Sequence, residues 1–591
     1  MTQERYWRYT LLGMLFTVLA TLIVGQMLRF QFDTEQAEKI KRRAEDYQHS
    51  MHTIYPARGQ IFDRWGHLLA GNTTVYEVGV ELQNVNNPHT IALTLNVVLG
   101  LDYTKVRTAV EQPASADAVY VVLDDFVSQE KIDVLEQYKD EIKKGYGSGK
   151  GKESPDLSGL VYVPHLRRTY PEKDLASNVL GFLGRDQEGN LKGYYGVEAK
   201  YDDQLAGLPV TVWLPTDPNL VSEMPNVPDG TSLILTIDRE IQAAMESLLD
   251  STLESSGAES GTIVVLDPKT GEILAMATTP RLDLNKYWRY DEVFKKDTPF
   301  NRAISQAYEP GSVYKVLSMA SALDKGAVKP DTTFLDTGII EVGGVQIYNW
   351  NRGVWGPQDM QGCLQHSLNV CLSWVATQLG AKDFYAYMQA FSIGHQTGVD
   401  MAGETPGRLK VPGDTDWYEA DLATNSFGQG VSATPIQMAA AIAAVANEGK
   451  MMVPHVVKAQ IVNGVQYNTE PRIAGMPITA ETAHTLQELL SRSLEKEAST
   501  SLVDGYRIAG KTGTAEIPTP FGYTSGQTNA SFVGWGPLDD TRFLVYIWLE
   551  KPQSSIWGSE VAAPVFSKAA SRLVVFLNIP PDKERRVLYG Q

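Results

Sequence analysis

The sequence predicts a mixed α/β (α+β) chain: an N-terminal transmembrane helix, an extended, mainly-β region, and a larger domain whose helices cover a five-stranded antiparallel sheet. Three observations carry this. Residues 9–28 form an uncharged, apolar run. After residue 229, apolar strand patterns stand at both ends of the segment with helical patterns between them, the order that gives one antiparallel sheet covered by helices. Pro225, Pro228, Asp229 and Gly230 punctuate the chain just before that segment, as turn and linker residues do.

Taken in order, residues 1–8 are a short cytoplasmic tail and residues 9–28 the anchor. A helix of that length is about 30 Å long, the thickness of a bilayer core. Tyr6, Trp7 and Tyr9 at one end, and Phe30 and Phe32 at the other, suit the two membrane interfaces. The run is long for a signal peptide and no small-x-small cleavage site follows it, so an uncleaved anchor is expected. No second comparable span follows. The expectation is a single-pass protein of the cell membrane with its large C-terminal part outside, because long domains translocate largely regardless of flanking charge. Residues 33–51 are charged and helix-prone, and residues 141–160, rich in Gly, Lys and Ser, read as a mobile loop.

The first extramembrane domain is expected over residues 29–228 and the larger one over 229–591. In the latter, residues 233–238 form a strand leading into a helix near Arg239. Residues 262–267 and 272–278 are strands joined by the turn Pro268-Lys269-Thr270-Gly271. Residues 506–514, 530–535 and 543–549 are three more strands, and residues 432–447 and 561–577 are helices.

At 591 residues, 43% hydrophobic and 21% charged, the composition is globular and the length suits several domains. A net charge of −18 without a basic block argues against nucleic acid as a partner. Two cysteines, Cys363 and Cys371, are too few for a disulfide scaffold or a cysteine zinc site. On a continuous helix, residues eight apart are separated by about 12 Å, too far to bridge. Two small buried side chains are expected.

The chemistry centres on Tyr308-Glu309-Pro310-Gly311-Ser312-Val313-Tyr314-Lys315. Pro310-Gly311 is a break, and the apolar run behind it ends at Lys325-Gly326, a short buried helix starting close to Ser312. Ser312 and Lys315, three apart, share a face. Desolvating an ammonium is costly, and a helix N-terminus or a second cation favours release of its proton. A neutral amine beside a serine hydroxyl is a base beside a nucleophile. The S-x-x-K spacing alone is weak. It recurs at Ser128 and Ser493, among charged residues that read as solvated helix faces.

Two further motifs strengthen it: Ser367-Leu368-Asn369, and Lys511-Thr512-Gly513-Thr514 within a strand pattern. A second Lys-Thr-Gly at Lys269 lies in a hairpin turn and precedes Ser312. The ordered set S-x-x-K, S-x-N, K-T-G-T is far more specific than its parts. Serine acyl transfer needs a base, a proton route to the leaving amine and donors for the oxyanion. Lys315 can take the Ser312 proton, Ser367 can relay one, and Asn369 can hold substrate or Lys315. Lys511 supplies a second cation that also draws in an anionic substrate. Gly513 leaves room for a substrate backbone to join the strand, and Thr512 or Thr514 can bind a terminal carboxylate. The N–H groups of Ser312 and Thr514 form the oxyanion hole. No histidine, metal or cofactor is required.

On these motifs the chain resembles a class B penicillin-binding protein, a membrane-anchored peptidoglycan D,D-transpeptidase. The resemblance covers nearly the whole chain. It includes Arg58-Gly59, Asp63-Arg64-x-Gly66, Arg168 to Pro171 and Gly196-Val197-Glu198 with Tyr201-Asp202, which match the family's non-catalytic pedestal. Further on it includes Asn301-Arg302-Ala303, Thr397-Gly398-Val399-Asp400, Gly403-Glu404, Ser426 to Gly430 and Ala562 to Phe566. The departures are small: Val313-Tyr314 replaces the commoner Thr-Phe, and His366 precedes the S-x-N serine. The resemblance implies acylation of Ser312 by a stem peptide ending in D-Ala-D-Ala, transfer to an amine on a neighbouring strand, and covalent capture of penicillins and other β-lactams. It also implies that pedestal and anchor dock on a multi-spanning glycosyltransferase of the shape, elongation, division and sporulation family, alongside other divisome proteins. Several stretches are closest to the division, or septal, branch, with the elongation branch as the alternative. Anchor and pedestal speak against a serine β-lactamase, the expected lack of signalling helices or a cytoplasmic domain against a penicillin-sensing receptor, and the complete motif set against an inactive scaffold.

Overall fold

The run Phe543-Leu-Val-Tyr-Ile-Trp-Leu549 has no residue suited to solvent, and in the computed structural model it lies in the middle of a sheet covered on both faces. The structure describes residues 3–32, 49–114, 119–146, 154–215, 227–519 and 522–589. The sheet is antiparallel throughout, in the order Ile273–Thr278, Ser260–Leu266, Phe543–Glu550, Gly522–Gly536, Ala509–Thr519. Side chains of successive strand residues point to opposite faces. Leu544, Tyr546 and Trp548 therefore enter one core cluster, and Phe543, Val545, Ile547 and Leu549 the other. Each such side chain, fully buried, contributes roughly 1.5–3 kcal/mol.

The helix Pro435–Ala446 packs on the first face, and all its residues are buried. Its start is fixed by a capping box of Thr434 and Gln437, with Pro435 at the first helical position. Arg239–Ser256 and Ala563–Phe576 cover the second face. The strand that carries Lys511 is the sheet's edge, which leaves one side of its backbone unpaired by the sheet.

A second sheet crosses the expected junction at residue 229. Ser232–Leu235 pairs with Val457–Val462 on one side and in parallel with Ile61–Phe62 on the other. The sheet continues through Leu68–Glu81 to Tyr120–Ser128 and Leu160–Thr169. Asp63 strengthens the join: it accepts from the N–H groups of Trp65, His67 and Arg239, the last opening the first helix of the larger domain. Arg58–Ala206 and Gly230–Gln591 accordingly form one compact unit. The other unit is Met1–Ala57 with Gly207–Asp229. It holds the helix Gln3–Phe32 and the antiparallel pair His49–Ile54 with Val210–Pro215. From Trp7 to Arg29 this helix is exposed, and it is long and apolar enough to cross a membrane.

Several expectations need correction. The chain from Cys363 to Cys371 is not a continuous helix. Met360–Gln365 ends, Ser367 turns with φ +52°, and Asn369–Leu379 starts afresh. The reversal brings the two Cα atoms to 5.9 Å, and the cysteines form a disulfide. Of the helix expected over 33–51, residues 33–48 lie outside the described residues and His49 begins a strand. Of the loop expected over 141–160, residues 141–146 complete the helix Gln129–Tyr146, and 147–153 lie outside the described residues. The helix expected to close the chain is followed by Asp582–Tyr589.

Candidate active site

Ser312 stands on a single 3-10 turn, Gly311–Tyr314, which runs into the helix Lys315–Lys325 and ends at Gly326 with φ +73°. Gly311 has φ +58°, and a Cβ there would lie 2.9 Å from both Thr514 O and Ala515 Cβ. Its lack of a side chain lets the serine turn sit directly against the strand of the K-T-G-T motif. Behind the turn, the Gly311 N–H donates to Gly428 O, and Tyr308 exchanges two backbone hydrogen bonds with Ala433. Ser318 Oγ donates to Ser426 O. The Ser426 to Gly430 segment is thereby the floor on which the serine turn is laid.

Lys315 is 0% exposed. Its Nζ donates to Ser367 O at 2.6 Å, Asn369 Oδ1 at 2.8 Å and Ser367 Oγ at 3.1 Å. Lys511 is 5% exposed, and its Nζ reaches the same Ser367 Oγ at 3.1 Å and Thr512 O at 3.3 Å. Two amines thus meet at one hydroxyl. Burial, and then the positive charge of Lys511, push the Lys315 amine well below the ordinary lysine value. Burial lowers Lys511 to about 8, with Glu497 opposing the shift.

Ser312, Ser367, Asn369, Lys511, Thr512 and Thr514 all line one cavity of about 660 Å³, within the usual range for small-molecule sites. Gly513 is among the predicted residues but does not line it. A Cβ at Gly513 would fall 2.2 Å from Ser531 Oγ and 2.9 Å from Val313 Cγ1. Close packing beneath the serine turn, not room for a substrate, explains this glycine. Thr514 Oγ1 accepts from the Gly558 N–H. The other S-x-x-K serines lie elsewhere in the architecture. Ser128 is exposed at the end of a strand. Ser493, expected on a solvated face, is buried in Ala480–Glu497 beside the cavity and donates to Leu489 O. Lys269 pairs with Asp540 on the surface.

Sequence reasoning missed much of the cavity wall. Trp350 and Trp557 meet edge to face with ring centroids 5.0 Å apart, and both line the cavity. Outside that lining, Glu309 accepts from the Gly430 N–H at 3.0 Å and from Tyr523 OH at 3.1 Å. His366 and Glu497 approach each other at 2.7 Å. Glu309 adjoins Pro310-Gly311, so its place in the motif was a signal; Glu497, 131 residues from its histidine, offered none.

This arrangement of serine, two lysines and S-x-N turn on a helix-covered sheet defines a class, that of the penicillin-binding proteins. The descriptions "Penicillin binding protein transpeptidase domain" and "Penicillin-binding Protein dimerisation domain" match residues 261–571 and 53–210. The chain belongs to the penicillin-binding protein family, in its class B branch. It is 32% identical to stage V sporulation protein D of Bacillus subtilis, over 97% of this chain and 86% of that protein. It is 34% identical to penicillin-binding protein PbpB of Mycolicibacterium smegmatis, over 70% of this chain and 66% of that one. Penicillin-binding protein 2X of Streptococcus thermophilus shares the fold, with a TM-score of 0.74 at 23% identity over 89% and 80% of the two chains.

Proposed function

We propose that this chain is a peptidoglycan D,D-transpeptidase that works through a Ser312 acyl-enzyme. The observation that carries the reading is the convergence of two buried lysines on Ser367 at the cavity that Ser312 also lines, with no carboxylate among the described residues hydrogen-bonded to either amine. Neutral Lys315 accepts the Ser312 proton as Oγ attacks the penultimate D-alanine carbonyl. The N–H groups of Ser312 and Thr514 stabilise the oxyanion. The amide C–N bond breaks, Ser367 passes a proton to the leaving D-alanine, and an ester remains on Ser312. An amine of a neighbouring stem peptide attacks that ester, forms the cross-link and frees the serine. Lys511, Thr512 and Thr514 receive the terminal carboxylate, and the edge strand Ala509–Thr519 accepts the donor peptide as an added strand. A β-lactam opens its ring amide on the same serine.

The test is peptide mapping of a penicillin adduct. Label on Ser312, lost in Ser312→Ala, is expected; label on Ser128 or Ser493 would sink the reading. The apolar helix holds the domain at the outer face of the cell membrane. The pedestal, whose motifs offer no nucleophile–base pair, docks with it on a multi-spanning glycosyltransferase. The division septum is the favoured setting, on the resemblance of Tyr308 to Gly311, Thr397 to Glu404 and Ser426 to Gly430 to the division branch. A second setting, cross-linking during sporulation, is favoured by the name of the Bacillus relative. Depletion separates them: undivided filaments point to the septum, normal division with defective spores to the second.

A further inference from the structure

Ser367 is a non-glycine residue with φ +52°, a strained conformation that persists only where its surroundings impose it. The position matters, because Ser367 Oγ is the point where the amines of Lys315 and Lys511 meet. The disulfide closes the loop around it, and the residue just before it is gripped from three sides. The His366 ring stacks on Trp355 with centroids 4.0 Å apart. Trp350 Nε1 donates to His366 O at 3.1 Å. Glu497 Oε1 lies 2.7 Å from His366 Nδ1. Glu497 is also the last residue of the helix Ala480–Glu497, where a carboxylate opposes the helix dipole. A residue set against its local rule marks a place where something else is served.

We propose that Glu497 is a positioning residue of the acyl-transfer site: by holding His366 it fixes the left-handed turn that sets Ser367 Oγ between the two lysine amines. The inference rests on the transpeptidase reading of the site. The charged groups around Lys511 agree with it. Lys315 faces it from the serine helix and His366 from the S-x-N turn, while Arg352, Glu516 and Glu560 line the same cavity. Among these, Glu497 is the group that favours the charged form of Lys511. The one carboxylate therefore has two effects, on the geometry of Ser367 and on the charge beside it.

The two effects separate by substitution. Glu497→Gln keeps an acceptor for His366 but removes the charge, whereas Glu497→Ala removes both. The measurement is the rate of acylation by a fluorescent penicillin across pH, with a melting temperature for each variant. Glu497→Gln should keep most of the neutral-pH rate, yet move the alkaline fall of the profile to lower pH, because Lys511 then loses its proton more readily. Glu497→Ala should show the same displacement and a rate lower by on the order of tenfold to a hundredfold. Rates and profiles like the parent's in both variants would overturn the proposal. So would a loss that follows a lower melting temperature with the alkaline fall unmoved. If the parent itself takes no label on Ser312, the transpeptidase reading fails and not this inference alone.

Discussion

Two regions of the larger unit bury positive charge, and they do it in opposite ways. In the pedestal, Arg58 and Arg168 converge on Glu198, which is 0% exposed. Arg58 approaches one carboxylate oxygen at 2.7 Å and Arg168 the other at 2.7 Å. Arg58 adds Asp202 at 2.8 Å, Arg168 donates to Gly59 O, and Tyr170 OH donates to Glu198. Burial opposes ionisation of Glu198, but the two guanidiniums overcome it and hold its carboxyl below the ordinary value. At the candidate active site Lys315 has three neutral oxygen partners and a second cation for a neighbour. The pedestal cluster is a balanced charge set that fixes three chain segments. The lysine pair is unbalanced, and a buried ammonium without a counter-ion releases its proton. What sets the lysine pair apart is that no carboxylate among the described residues hydrogen-bonds to either amine, Glu497 acting on Lys511 only through its charge.

The sharpest way to break the comparison is at Lys315. Lys315→Arg keeps the charge and loses the base, since guanidinium stays protonated. The acylation rate should fall by about 10²–10⁴-fold, the range of general-base contributions. Equal, small losses in Lys315→Arg and Lys511→Arg, read as penicillin acylation rates, would show that the two lysines are interchangeable.

Next in size is Glu198→Ala. Removing one partner of a buried ion set leaves uncompensated charge and costs roughly 3–5 kcal/mol. The melting temperature should fall clearly, while the folded fraction acylates at the parent rate. A variant that melts normally but fails to acylate would make the pedestal part of the catalytic machinery.

The same contrast explains what the sequence made legible. Sheet strands such as Phe543–Glu550 announced themselves, because a strand buried on both faces must be apolar throughout. The candidate site residues were legible as an ordered motif set: Ser312, Ser367, Asn369, Lys511, Thr512 and Thr514 line one cavity, and Lys315 hydrogen-bonds to Ser367 and Asn369. The disulfide was hidden because a helix assumed to be continuous put Cys363 and Cys371 on a straight rod, and nothing in the residue type of Ser367 signals a left-handed turn. Gly513 was read towards substrate, but strand alternation turns its missing Cβ towards Ser531. Pedestal helices such as Pro88–Leu99 went unread in a region expected to be mainly β, although Asn87 as N-cap and Gly100 as C-cap are the usual start and stop signals. What no local pattern carried was pairing at a distance: His366 with Glu497, or Arg58 with Glu198.

The smallest effect, and the finest test, is in Lys511→Arg. Lys315 must be neutral to act as a base, so acylation should rise with pH as its proton leaves. Lys511 must be charged to hold an anionic substrate and to keep Lys315 neutral. Its value of about 8 makes the rate fall again above that pH, which gives a bell-shaped profile. An arginine at position 511 cannot lose its charge in this range, so the variant should keep the acid limb and lose the alkaline one. Its neutral-pH rate should drop modestly, because a planar fork does not reproduce the contact of a compact ammonium with Ser367 Oγ. Rate constants for penicillin acylation from about pH 5 to about pH 9 supply the profile. If the alkaline limb survives in Lys511→Arg, it belongs to another group, and the division of labour between the two lysines is wrong.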